Sequence, residues 1–185
     1  MNKPCLIIID MQKGMANPAA GSRNNPQAED NIGRLLRAWR AAAAPVVHVR
    51  HISRSSTSFF APGQSGVAFQ DALQPLAHEH VVEKNVPDAF INTALERWLR
   101  VRGLDALVIV GVSTNNSVES SARTAGNLGF KTVVVADATY AYAMRDYAGV
   151  ERTADEVHAM ALANLMSDYA AVKNTETVLA ELAAN

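Results

Sequence analysis

Cysteine is nearly absent from this chain. Cys5 is the only one in 185 residues, so no internal disulfide can form, and such usage suits a reducing, cytoplasmic compartment. Charge excess is absent too. The 17 basic and 18 acidic residues leave a net charge of -1, which offers no electrostatic footprint for nucleic acid or an anionic membrane. No run of eighteen apolar residues occurs, so nothing is suited to span a bilayer. The opening MNKPCLIIID lacks a signal-peptide layout, because its apolar run is short and ends on a carboxylate. No repeat and no low-complexity linker divides the chain. The expectation is one domain over residues 1–185, long enough for a real core.

Familiar nucleotide signatures are missing as well. There is no G-x-x-x-x-G-K-[ST], and no G-x-G-x-x-G follows the first strand. The G-x-S-x-G elbow is also absent: Gly111, Val112 and Ser113 lack the second glycine. Metal ligation is poorly signalled. His48 and His51 are three apart, His78 and His80 two apart, and neither pair has a fixed third ligand. His48 reads as an ordinary strand residue, and His158 as helix packing or surface. No metal and no cofactor is expected.

What is present is a set of short apolar runs alternating with amphipathic stretches. CLIIID (5–10) reads as a buried strand ending on Asp10, followed by a polar loop over 11–22. Ile32, Leu35, Leu36 and Trp39 give residues 31–44 helical spacing, and Pro45 stops that helix. VVHVR (46–50) is a second strand. Residues 51–79 break the pattern, and loops of that length are often lids; Phe59 and Phe60 sit within it. Residues 81–84 suggest a short edge strand. A helix is expected from Pro87 and Asp88, using Phe90, Leu95, Trp98 and Leu99, with Gly103 as its C-cap. Strands follow at 107–110, 132–136 and 169–172, and helices at 117–128, 153–167 and 176–183. Residues 140–149 read as a loop with a turn of helix. Apolar strands alternating with helices predict an α/β fold, in three α/β/α layers around a mostly parallel sheet of about six strands. Ligands of such sheets bind beyond the carboxyl ends of the strands. Asp10, the 113–117 turn and Asp137 all fall at such ends.

The stretch LVIVGVSTNNSVESSAR (107–123) runs from a strand through Gly111 into a helix N-terminus. Backbone N–H groups converge there and can hold developing negative charge. An ordinary βα turn would look the same, so the neighbours matter. Asp10 ends an apolar strand, which is costly unless the carboxylate is paired or used. Lys84 is its natural partner, and a Lys–Asp pair in a cleft is a usual source of perturbed proton affinity. Together with the 113–117 turn they supply a base, a cation, backbone donors and the Ser117 hydroxyl.

These residues resemble the isochorismatase-like cysteine hydrolases, a group that includes nicotinamidases, carbamoyl-sarcosine amidohydrolases and isochorismatases. The matching pieces are LIIIDMQ (6–12), EKNVPDAF (83–90), VGVSTNNSVESSAR (110–123) and DAT (137–139), spread over nearly the whole length. The resemblance implies an Asp–Lys–Cys triad whose aspartate is Asp10 and whose lysine is Lys84. It implies a cis peptide between Val112 and Ser113, oxyanion donors at the N–H groups of Ser113 and Ser117, and a homo-oligomer such as a dimer or tetramer.

One position departs from that pattern. Where these hydrolases carry their cysteine, this chain has Ser117. Cys5 cannot replace it, being about 17 Å of extended chain from Asp10. A serine hydroxyl is a far weaker acid than a thiol, so Ser117 needs concerted proton removal by Asp10. Three readings stand open. Ser117 is a working nucleophile toward an amide or carbamoyl C–N bond. Alternatively no covalent step occurs, as in members that cleave a vinyl ether with the aspartate as proton donor. Or Ser117 has silenced catalysis, by deliberate substitution or by descent, leaving a ligand-binding protein. The metal ligands that nicotinamidases place after the second strand are not evident in VVHVRHIS. Arg50, His51, Phe59, Phe60, Phe90 and Asn116 are the expected substrate-binding walls, suited to a small planar or carboxylated molecule.

Overall fold

The computed structural model describes residues 3–16 and 21–184, so part of the loop expected over 11–22 lies outside the described residues. Five apolar residues form β1 (Cys5–Ile9), buried along its whole length. It is flanked by β4 (Ala106–Val112), equally apolar in sequence, and by β2 (Val46–His51), whose apolar start gives way to Arg50 and His51 at its half-buried end. Strands buried on both faces must be apolar at every position, which is why these runs show no alternation. With β3 (His80–Lys84), β5 (Lys131–Tyr140) and β8 (Ala171–Lys173) they complete a six-stranded sheet. Its order is β3-β2-β1-β4-β5-β8, and every pairing is parallel.

Successive residues of β1 face opposite layers. Ile7 and Ile9 pack with Leu95 and Leu99 of α2 (Leu95–Val101), Ala122 of α3 (Glu119–Asn127), and Leu162 and Leu165 of α4 (Ala154–Met166). Leu6 and Ile8 pack with Leu35, Leu36 and Trp39 of α1 (Ala28–Ala41) and Val178 and Leu182 of α5 (Thr175–Ala184). Each such buried side chain contributes about 2 kcal/mol of transfer free energy. α1 begins with Glu29 and Asp30, matching the helix dipole. α4 opens on a reciprocal cap between Thr153 and Glu156.

Four local expectations are corrected. No helix starts at Pro87; α2 begins only at Leu95. Asp88 Oδ1 accepts the Phe90 N–H (2.8 Å) and Thr93 Oγ1 donates to the Ala89 carbonyl (2.7 Å), and such side-chain bonds compete with helix formation. β5 continues four residues beyond the expected end at Ala136, to Tyr140, so Asp137 does not end it. Asp137 Oδ1 instead accepts the Thr175 N–H and hydroxyl, both at 2.8 Å, at the start of α5. Residues 140–149 hold no turn of helix. An antiparallel ribbon, β6 (Met144–Arg145) with β7 (Glu151–Arg152), occupies that region. Finally, α1 is shifted to Ala28–Ala41 from the expected 31–44.

The long 51–79 excursion is fixed at its return. Lys13 N–H donates to the Ala68 carbonyl (2.8 Å) and Gln70 N–H to that of Met11 (3.1 Å). Phe60 lies against Gly14, where an added Cβ would come within 2.6 Å of the ring. This part of the excursion is a wall standing on the loop after Asp10.

The sheet order reverses beside β1. From β1 the chain builds toward β2 and β3 on one side and toward β4, β5 and β8 on the other. The carboxyl ends of β1 and β4 therefore flank the crevice where α/β sheets bind ligands.

Candidate active site

Three residues distant in sequence meet at that crevice. Asp10 leaves β1 with φ +54, its N–H bonded to the Val49 carbonyl (2.9 Å). Lys84 ends β3, and Ser117 lies in the turn after β4. Lys84 Nζ donates to Asp10 Oδ2 at 2.7 Å and to Ser117 Oγ at 3.2 Å. All three are buried, at 1 %, 3 % and 6 % exposure. Lys84 Nζ thus bridges the Asp10 carboxylate and the Ser117 hydroxyl. Burial raises the Asp10 carboxyl above the ordinary range, against the pull of Lys84 and Ser117. Among the described residues Asp10 Oδ1 has no hydrogen-bond partner, which leaves one carboxylate oxygen uncommitted at the centre of the site.

The nucleophile position depends on how β4 ends. Gly111 has φ +120, and a Cβ there would lie inside contact of the Ile9 carbonyl oxygen and 2.8 Å from the Ile9 nitrogen. Only glycine lets β4 run this close to β1. The next peptide, Val112–Ser113, is cis, the bond singled out in the sequence. A wide turn, Thr114–Val118, then leads into α3. The Ser113 carbonyl accepts from both Asn116 N–H (3.1 Å) and Val118 N–H (3.2 Å), and wide i to i+5 turns recur at functional sites. From inside, Ser121 Oγ donates to the Ser117 carbonyl (2.7 Å) and accepts the Ala89 N–H (2.9 Å).

His51 pairs in register with Lys84 across β2 and β3. Its ring stands edge-on to Phe60 at 6.2 Å. Burial, then the Lys84 charge, lower its proton affinity against the pull of Asp10. Of the remaining expected walls, Asn116 is exposed on the turn itself and Phe59 is 54 % exposed. Two are not brought to the triad. Arg50 is spent on Glu83 and the face of Phe69, because neighbours along a strand point to opposite faces. Phe90 packs on Phe130 in the core, at 6.0 Å between centroids.

Sequence reading missed Gln12. It is fully buried; its amide donates to the His51 and Val67 carbonyls (both 3.0 Å) and accepts the His51 N–H (2.7 Å). One side chain thus ties the end of β2 and the 51–79 wall to the loop after Asp10. A glutamine two residues beyond an apolar strand was the available signal. Arg54 was missed as well. It bonds the Asn85 amide (2.9 Å), and both line a cleft of about 320 Å3 with Ser53, Glu83, Lys84 and Asn92.

Among the described residues, no three of His, Cys, Asp and Glu are grouped to hold a metal. His48 Nε2 donates to Glu79 Oε2 (2.8 Å), away from the triad. Burial favours the neutral Glu79 carboxyl, yet Arg40, the Leu76 N–H and His48 together bring it down to about 2. Cys5 is buried, and desolvation pushes its thiol up to about 12, so it is chemically inert.

Buried histidines set an acid limit on stability. Burial lowers the proton affinity of His48, His51 and His158. The unfolded chain then binds more protons than the native one below about pH 6.5, and stability falls as pH drops from there. Asp10, being raised, acts with the opposite sign. Urea midpoints are expected to decline between about pH 7 and 5. A flat profile would contradict this.

A buried Asp–Lys–Ser constellation therefore stands at the switch point of a parallel three-layer α/β/α sheet. The family model described as the isochorismatase domain matches residues 4–177, and the chain belongs to the isochorismatase family of hydrolases. The isochorismatase family protein YrdC of Bacillus subtilis is 35% identical over 177 residues, covering 96% of this chain and 95% of that one. Maleamate amidohydrolase of Pseudomonas putida is 31% identical over 151 residues, covering 72% and 70%. A crystal structure of an isochorismatase-family hydrolase from Chromobacterium violaceum superposes with a TM-score of 0.97. It is 45% identical and covers 100% of this chain and 96% of that one.

Proposed function

We propose that this hydrolase cleaves the C–N bond of a small amide or carbamoyl compound, with Asp10, Lys84 and Ser117 as its catalytic residues. The observation that carries this reading is the buried bridge of Lys84 Nζ between Asp10 Oδ2 (2.7 Å) and Ser117 Oγ (3.2 Å). Ser117 Oγ attacks the carbonyl carbon as its proton passes to Asp10. Lys84 holds the hydroxyl in line and offsets the negative charge, and the N–H groups of Ser113 and Ser117 receive the oxyanion. Asp10 returns the proton to the departing nitrogen, the C–N bond breaks and ammonia or an amine leaves. Water, deprotonated by Asp10, then attacks the acyl carbon; the bond to Ser117 Oγ breaks, Oγ takes the proton back from Asp10, and the acid leaves. A carboxyl raised by burial is a stronger proton acceptor once ionised.

Arg54, held by a neutral amide beside Lys84, suits a carboxylate on the substrate. That fits the amide acid acted on by the maleamate amidohydrolase relative. Ammonia release from paired carboxylated and neutral amides tests both levels. Turnover of the carboxylated member, lost in Asp10→Asn and reduced about tenfold or more in Arg54→Gln, is the expected result. Turnover that survives Asp10→Asn would overturn the mechanism.

The raised Asp10 carboxyl also favours a second reading, in which Asp10 is a proton donor and Ser117 forms no bond. Hydrolysis of a vinyl ether, unchanged in Ser117→Ala, would select it.

A further inference from the structure

The turn that carries Ser117 is gripped from its outer side by a histidine far along the chain. His158 of α4 is only 9 % exposed, and its Nδ1 lies 2.8 Å from the fully buried Thr114 Oγ1. Its other ring nitrogen, Nε2, lies 3.5 Å from Asn25 Nδ2. The Asn25 amide in turn donates to the carbonyls of Ala136 (2.9 Å) and Thr139 (2.7 Å) on β5. The ring thus meets the Ser117 turn through Nδ1 and the β5 anchor through Nε2, and the Nδ1–Thr114 Oγ1 bond forms in either tautomer.

We propose that His158 is a positioning residue: through the Thr114 hydroxyl it locks the Ser117 turn to β5 and α4. This rests on the reading of Ser117 as the nucleophile. Thr114 stands immediately after Ser113 and opens the turn that ends at Val118. Ser121 holds the Ser117 carbonyl from the α3 side, and His158 holds the turn from the α4 side. Without that second grip the turn is free to drift away from Lys84 and Asp10. A displacement of about 1 Å at a reacting atom can cost about a hundredfold in rate. Burial lowers the proton affinity of the ring and favours its neutral form; Asp155, on the same helix, acts in the opposite direction.

The test separates the two ring nitrogens. His158→Asn places an acceptor near the position of Nδ1, whereas His158→Gln places an amide near that of Nε2. Ser117→Cys supplies a probe needing no substrate, because Cys5 is buried with a thiol near 12 and stays silent. In the Ser117→Cys protein, the rate of alkylation by iodoacetamide and its pH midpoint are measured alone and with His158→Asn, His158→Gln or Thr114→Val. His158→Gln and Thr114→Val are expected to change the rate about tenfold or more. His158→Asn is expected to stay within about threefold, and the His158→Gln/Thr114→Val pair to match either single change, as coupled sites do. In the Ser117 protein, kcat should fall in the same order with KM unchanged.

Equal effects of Asn and Gln, tracking their loss of Tm, would reduce His158 to a structural role and overturn the proposal. So would additive effects of Gln and Val. If the Ser117 protein turns over no amide while alkylation follows the predicted order, the nucleophile reading fails and the positioning role stands.

Discussion

Asp10→Asn is expected to lower kcat/KM about a thousandfold or more while leaving the fold intact. The change is isosteric, and Asn can still accept a hydrogen bond from Lys84. It cannot take a proton from Ser117. It also leaves the Lys84 ammonium, whose side chain has no solvent exposure, without an anion. Breaking one half of a buried ion pair costs about 3–5 kcal/mol, mostly as an uncompensated charge. Lys84→Met does the same to the carboxylate. The double variant Asp10→Asn/Lys84→Met removes both charges, so it is expected to be more stable than either single variant and still inactive. Urea unfolding beside an ammonia assay reads both quantities. Stability losses that simply add in the double variant would show that the pair does not interact as its 2.7 Å geometry requires.

Gly111→Ala is expected to be the most damaging small substitution in the sheet. Its Cβ would collide with the Ile9 backbone, and its φ of +120 lies where side chains are strained. The atoms in the way are main-chain atoms of the central strand, so relief requires β1 and β4 to part. A loss of about 4 kcal/mol or more follows, enough to depress Tm by more than about 10 °C and reduce soluble yield. Gly129→Ala is the control. Its φ is also positive, at +82, but a Cβ there meets nothing within 4 Å, so only about 1 kcal/mol is expected. Similar melting of the two variants would contradict the close-approach argument.

The central strands were legible because double-sided burial writes itself as an unbroken apolar run, as in CLIII and ALVIVGV. Asp10 stood out because it ends such a run. Other features carry no such trace. The turn at 87–94 is held by Asp88 and Thr93, while Phe90 and Leu95 mimic helical spacing. β5 runs on through Asp137, Ala138 and Thr139, whose polar composition reads as a loop. The β6–β7 ribbon is two exposed residues on each side and has no apolar face to betray it.

Within the site, the choice between Arg50 and His51 was decidable in principle. Side chains alternate along a strand, and the residue in register with Lys84 is His51. That register belongs to the assembled sheet and not to either strand alone. The same holds for His158 and Gln12. Helical spacing leaves His158 as packing or surface and Gln12 falls in a polar loop, and only the tertiary arrangement shows the hydrogen bonds that bury them.

The most direct test of the account is kcat/KM of Ser117→Ala beside the parent chain, on the best amide the parent hydrolyses. A loss of about a thousandfold or more, with Tm unchanged, is predicted if Ser117 Oγ is the nucleophile held by Lys84 and Asp10. Turnover within a few-fold of the parent would contradict it and leave Asp10 to act through water alone.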